Sequence, residues 1–160
     1  MIVVSDTSPI CYLILIDEIE ILHQLYGQVM IPSIVQQELS HLGSPEPVKT
    51  WIKNPPKWLI VKTVDVIFNQ DLSALDAGEQ AAIILAEQIE ASLVIIDDAL
   101  GRKIAQERGL KVTGLLGILD EAAKQNLLNL PTAINRLQST TFRASKQIIQ
   151  SLLRQYPSQS

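Results

Sequence analysis

Several carboxylates in this chain stand where a carboxylate can do chemistry. Asp6 directly follows the apolar run Ile2-Val3-Val4-Ser5, and Asp97 and Asp98 directly follow Ser92-Leu93-Val94-Ile95-Ile96. Both runs read as short strands, apolar on both faces as buried parallel strands are. In open parallel sheets, ligands bind outside the carboxyl ends of the strands, where these acids fall. Glu38 lies in a helical pattern, four residues from both Ile34 and Leu42, on the stripe formed by Ile34, Val35, Leu39 and Leu42. A carboxylate bordering a buried stripe is costly unless it is paired or bound to a cation. Glu79 sits in the first turn of a helix opened by Asp76-Ala77-Gly78.

Each acid also has a local explanation. Asp6, ahead of Thr7, Ser8 and Pro9, suits a helix start. Asp97 or Asp98 suits the cap of the following helix, and Glu79 completes a capping box begun by Asp76. Glu38 can snorkel to solvent. Brought to one sheet edge, however, the acids repel: a pair about 5 Å apart costs roughly 3 kcal/mol at an effective dielectric near 20. Hard divalent cations remove that penalty, and Mg²⁺ is held by a few carboxylates with several waters retained. Such a cation activates water and steadies charge on a phosphodiester, and two cations clamp both attacking and leaving oxygens. This chemistry needs no His or Cys.

The elements that must position these acids alternate between strand and helix. Strands are expected at Ile2–Ser5, Gly27–Ile31, Trp58–Val64, Ser92–Ile96 and Lys111–Val112. Helices are expected over Ser8–Leu25 with a break near Asp17, from Pro32 to His41, from Asp76 to Glu90, from Ala99 to Arg108, over Leu115–Gln125, and near Pro131–Leu137 and Ser145–Gln155. Pro32 suits a first helical position. The prolines at 45, 47, 55 and 56 leave room for a short helix at most, over Val48–Lys53. No repeat or linker divides residues 1–160, so the pattern predicts one α/β domain with a parallel sheet covered on both faces.

Composition fits this picture. The chain is 47% hydrophobic and 19% charged, enough for a packed core, and at 4% aromatic that core must be aliphatic. The lone cysteine, Cys11, excludes an intrachain disulfide and reads as a small core residue. No basic segment precedes Ile10–Ile16, and Asp17, Glu18 and Glu20 follow it, so the stretch reads as neither signal peptide nor membrane span. A cytoplasmic location is the expectation, with no membrane partner. The net charge of −4 hides an asymmetry: residues 131–160 hold Arg136, Arg143, Lys146 and Arg154 and no acid. This basic helical extension reads equally as a phosphate contact or as a solvated helix. Walker-type glycine loops and Cys/His zinc spacing are absent from the sequence. His23 and His41 fall in surface-like helical contexts, which argues against Ser–His–Asp catalysis.

The ordered motifs resemble those of PIN domains, in particular a small prokaryotic branch similar to VapC-type toxins. Val3-Val4-Ser5-Asp6-Thr7-Ser8-Pro9 resembles the opening strand and first acid of that branch. Ile31-Pro32-Ser33-Ile34-Val35-Gln36-Gln37-Glu38-Leu39 resembles its second motif, Leu75-Asp76-Ala77-Gly78-Glu79-Gln80-Ala81-Ala82-Ile83 its third and Val94-Ile95-Ile96-Asp97-Asp98 its fourth. Gly101-Arg102-Lys103, Gly109 and Thr113-Gly114-Leu115-Leu116-Gly117 also fit, and the likeness spans essentially the whole chain.

The resemblance implies a three-layer α/β/α sandwich that binds Mg²⁺ or Mn²⁺ and hydrolyses RNA through a water attacking phosphorus. Carried over by motif, Asp6, Glu38, Glu79 and Asp97 are the catalytic, metal-binding quartet, with Asp98 a fifth member. Asp76 is less secure, because capping explains it. Thr7 and Ser8 could hydrogen-bond a water on the metal or the substrate phosphate, or serve only in the turn. Arg102 could reach a phosphate or stand as an exposed helix cation. Adjacent residues at a strand end point different ways, so the motif leaves open whether Asp97 or Asp98 faces the metal.

The branch also implies a homodimer, and an antitoxin partner where the protein is the toxin of a toxin–antitoxin pair. The main alternative is a non-catalytic PIN-fold protein that binds nucleic acid or a partner. A phosphoacceptor receiver domain also gathers acids at strand ends, but it needs an acid pair at the first strand, where this chain offers only Asp6.

Overall fold

The computed structural model describes residues 1–65 and 70–156, so the last four residues of the basic extension lie outside the described residues. Among the described residues, five strands form one parallel sheet: β1 (Val3–Ser5), β2 (Val29–Pro32), β3 (Leu59–Lys62), β4 (Leu93–Ile95) and β5 (Val112–Thr113). Their order is β3-β2-β1-β4-β5. The chain therefore builds outward from β1 on one side, then returns to lay β4 on the other. That reversal opens a crevice at the carboxyl ends of β1 and β4, the position where sheets of this kind bind ligands. Ser5 pairs with Ile95, and the Asp6 amide donates to the Ile95 carbonyl at 3.0 Å.

Side-chain alternation along the strands divides the interior in two. Val3 and Ile95 face one core, while Val4, Val94 and Ile96 face the other. The first core receives Ile10 and Leu13 of α1 (Thr7–Leu15), Leu22 of α2 (Ile21–Tyr26), Val35 and Leu39 of α3 (Ser33–Ser40) and Ile52 of α4 (Glu46–Lys53). It also takes Ile118 of α7 (Leu115–Lys124), Ala133 of α8 (Leu130–Gln138) and Ile149 of α9 (Lys146–Arg154). The second core receives Ala82 and Ile83 of α5 (Ala77–Gln88) and Ala105 of α6 (Ala99–Glu107). Helices on both faces of a parallel sheet give the α/β architecture expected from the sequence. No helix among the described residues is long and apolar enough to cross a membrane.

The boundaries depart from the sequence reading in small, explicable ways. The break near Asp17 is present, with that residue in the left-handed region at φ 62°. Pro32 ends β2 and caps α3 at ψ 151° rather than occupying its first turn. Helix α4 begins at Glu46, since Pro47 in the first turn removes a donor that has no helical partner there. The largest departure is Leu42. The backbone leaves the helix at His41 (φ −59°, ψ 145°), so the four-residue relation to Glu38 is lost and Leu42 is 88% exposed. Cys11 is half-buried against the first core.

Candidate functional site

Asp6 stands at the N-terminus of α1 in extended conformation but makes no side-chain cap, so helix capping does not account for it. It is 4% exposed, and Glu79 is 6% exposed. Glu79 completes the capping box with Asp76. Its backbone N–H donates to Asp76 Oδ1 at 2.8 Å, and its own Oε1 accepts from the Asp76 amide at 3.2 Å. The box uses one oxygen of Glu79 and leaves Oε2 buried without a partner. Glu38, on the α3 turn that meets α5, is half-buried with Oε1 likewise unpartnered. Beside it the Thr7 hydroxyl is buried, without a well-formed hydrogen bond. Five buried side-chain atoms lack a partner among the described residues, and four are Asp6 Oδ1, Thr7 Oγ1, Glu38 Oε1 and Glu79 Oε2. Buried polar atoms are almost always paired, so this concentration at one place calls for a ligand.

Two glycines keep the space open. A methyl group on Gly78 would run into Glu38 Oε1 and come within 3.0 Å of Asp6 Oδ1. One on Gly101 would meet Ile96 Cγ2 at 2.8 Å, Glu79 Oε2 at 2.9 Å and Asp98 Oδ2 at 3.6 Å, so this glycine serves the packing against β4 as well. Sequence reasoning noted both residues only within motifs. The available signal was a glycine inside the first turn of each helix, where it lowers helix propensity and asks for another reason.

The two adjacent aspartates diverge. Asp98 caps α6, its Oδ2 accepting from the Gly101 amide at 2.8 Å, and its charge bears on Asp6. Asp97 turns toward β5 and α7, where its Oδ1 accepts from the Leu115 amide at 3.2 Å. Arg102 is half-buried beside it, with Nη1 donating to the Ile96 and Asp97 carbonyls. The structure thus brings Asp6, Glu38, Glu79 and Asp98 to one side of the β4 end and Asp97 with Arg102 to the other. Asp76 is exposed, yet its charge reaches Asp6, Glu38 and Glu79. Ser8 is exposed in the first turn of α1.

Crowding of like charges in a dry place shifts the acids upward. Burial pushes Asp6 up to about 7, helped by Asp76, Glu38 and Asp98 and opposed by the Thr7 backbone N–H. Burial raises Glu79 to about 8, with Asp76 and Asp6 adding to it. Glu38 is raised by burial and by Asp76, with a small offset from Thr7. Asp97 is raised by burial and the Asp98 charge, against lowering by the Leu115 N–H and Arg102. A divalent cation would satisfy the orphaned oxygens and restore the ionised forms, and hard carboxylate donors are its natural ligands. No three His, Cys, Asp or Glu side chains among the described residues converge tightly enough to hold an ion. The donor set and its unpaired oxygens fit a cation, while the carboxylates stand apart as mutually repelling charges do.

Neither a curated protein nor a solved structure matches the chain. A family model described as a PIN domain (DUF3368) matches residues 2–158. PIN domains are generally nucleases, typically metal-dependent, and commonly use Mg²⁺. With the parallel α/β sheet, the acids at its switch point and a match over nearly the whole chain, the protein belongs to the PIN-domain family.

Proposed function

We propose that the protein is a Mg²⁺- or Mn²⁺-dependent endoribonuclease that hydrolyses RNA phosphodiester bonds. The observation that carries this reading is the group of buried, unpartnered oxygens on Asp6, Glu38, Glu79 and Thr7 at the switch point of the sheet. Asp6, Glu38, Glu79 and Asp98 would hold the cation, with Asp97 at the border of the group. When bound, the cation supplies an acidified water as nucleophile and offsets charge developing on the phosphoryl oxygens. The chain's own residues do the rest. The capping box holds the Glu79 side chain and burial confines that of Asp6, so little side-chain freedom is lost when they take up their ligand. The Thr7 hydroxyl, beside Glu38 and without a well-formed hydrogen bond, donates to a phosphate oxygen, and Arg102 offers a second donor from across the β4 end. Gly78 and Gly101 preserve the room in which these groups meet the substrate.

The likeness to VapC-type toxins supports a finer reading, in which this nuclease is the toxin of a pair, dimeric and restrained by an antitoxin. Induced expression should then arrest growth with the native chain and not with Asp6→Asn.

The direct test is cleavage of a labelled mixed-sequence RNA with Mn²⁺, Mg²⁺ or EDTA, alongside Asp6→Asn purified identically. Cutting that needs the cation and disappears in the variant is expected. Equal cutting by both proteins would mean a contaminant, and no cutting by either would favour a binding relative that has lost turnover.

A further inference from the structure

Beyond Asp97 lies a cavity of about 340 Å³ that differs in character from the carboxylate group. Two arginines line it: Arg102 from the first turn of α6, and Arg143 from the segment joining α8 to α9. The Nη1 contacts of Arg102 leave its Nε and Nη2 without hydrogen-bond partners among the described residues. Arg143 is exposed and bonds only to the adjacent Phe142 carbonyl, at 3.3 Å. Neither arginine joins a close ion pair among the described residues, although the Arg102 charge bears on Asp97; the cations that do are Lys49, Arg108, Lys124 and Arg136. Apolar walls complete the cavity, formed by Leu116, Phe142, Ala144 and Ile148.

We propose that this cavity seats one nucleotide of the RNA strand, next to the phosphodiester that is cut. The inference rests on the nuclease reading and gives the basic extension a role in substrate binding. Arg102 and Arg143 take the phosphate, and the apolar walls take the sugar and base. Free phosphate would use the arginines and leave those walls unused, whereas a nucleotide uses both. The Asp97 carboxylate, fixed by the Leu115 amide, forms the partition between cavity and acids, so a strand seated in one continues into the other.

The charge distribution argues the same way. Residues 131–160 contribute four bases and no acid to a chain whose net charge is −4. A polyanion approaching the acidic remainder needs local cations, and the extension supplies one beside the acids. Its position is fixed by packing: Phe142 meets the Tyr12 ring edge-on at 5.4 Å, and Ile149 is buried. The cavity is also at the lower end of the roughly 300–1,000 Å³ usual for ligand sites.

The test is fluorescence anisotropy of a labelled ten-nucleotide mixed-sequence RNA, in EDTA, on an Asp6→Asn background, where cation and cutting play no part. Arg143→Ala should weaken binding about five- to tenfold and flatten the salt dependence by about one phosphate contact. Ala144→Phe, which fills the cavity without changing charge, should weaken it similarly, with thermal melting to verify folding. Lys57→Ala, which removes a charge just before β3 at the opposite sheet edge, should leave binding within about twofold.

Unchanged binding in both cavity variants, an equal loss in Lys57→Ala, or no measurable RNA binding would overturn the proposal. Cleavage by the protein with Asp6 intact separates the two ideas. Cutting with indifferent cavity variants removes the cavity and keeps the nuclease; weakened cavity variants without any cutting do the reverse.

Discussion

On one side of the β4 end, Asp6, Glu38 and Glu79 hold buried oxygens with no protein partner. On the other, a few ångströms of backbone away, Asp97 is matched by the Leu115 amide and a nearby guanidinium. Both sides carry acids, and both raise the pKa of those acids through burial. Yet the buried oxygens left without a partner among the described residues all lie on the first side, and Asp97 contributes none of them. A fold that leaves oxygens unpaired in one place while pairing them close by is storing a ligand requirement there, and stability is lost to meet it.

The largest effect should come from breaking the uncompensated side. Asp6→Asn should lower RNA cleavage by at least about a hundredfold, since even residues that only support metal ligands cost about 10–100-fold. The same change should raise the melting temperature of the cation-free protein at pH 8, because a buried, repelled charge disappears. Loss of activity together with loss of stability would instead mark Asp6 as a structural residue.

Next in size is Gly78→Ala. Its methyl group would occupy the space between Asp6 and Glu38, so Mn²⁺ affinity by calorimetry should fall about tenfold or more with the fold intact. Unaltered affinity would mean that these two acids do not share a ligand.

Replacing the adjacent aspartates one at a time separates the two sides of the β4 end. Asp98→Asn should weaken Mn²⁺ binding several-fold. Asp97→Asn should leave it within about twofold and act mainly on KM for RNA. The reverse pattern would move the cation site across the β4 end.

The smallest effect is a pH dependence of stability. Asp6 and Glu79 have folded values of about 7 and about 8, above their ordinary 3.8 and 4.5. Their contribution to stability is therefore full below about pH 4 and is lost as pH rises through 7 and 8. Cation-free protein should melt several degrees lower at pH 8.5 than at pH 5, a trend that saturating Mg²⁺ should reverse, because binding needs ionised carboxylates. A flat melting profile from pH 5 to 8.5 without cation would remove the claim of buried, raised acids.

Much of this was legible in the sequence, for physical reasons. Short runs apolar on both faces and followed by Asp marked both the central strands and the acids at their carboxyl ends, because burial on both faces forbids alternation. The capping box at Asp76 and Glu79 was readable because its spacing is local. What depended on distant partners was not readable. Which of Asp97 and Asp98 faces the acids depends on the Leu115 amide, 18 residues away, drawing the first toward α7. The role of Gly78 depends on Glu38 arriving from another helix. Leu42 misled because helical periodicity does not reach it: the helix ends at Ser40 and the backbone turns at His41. The cavity at Arg143 could not be foreseen, since its walls come from α7 and from the extension that folds back over it.

The central claim, that Asp6 and its neighbours form a cation site, is tested most directly by Mn²⁺ binding at pH 8, followed by the loss of the free-ion EPR signal. The native protein should take up one or two equivalents, and the Asp6→Asn/Glu79→Gln double variant, still folded, should take up none. Equal uptake by both proteins, or none by the native one, would contradict the account.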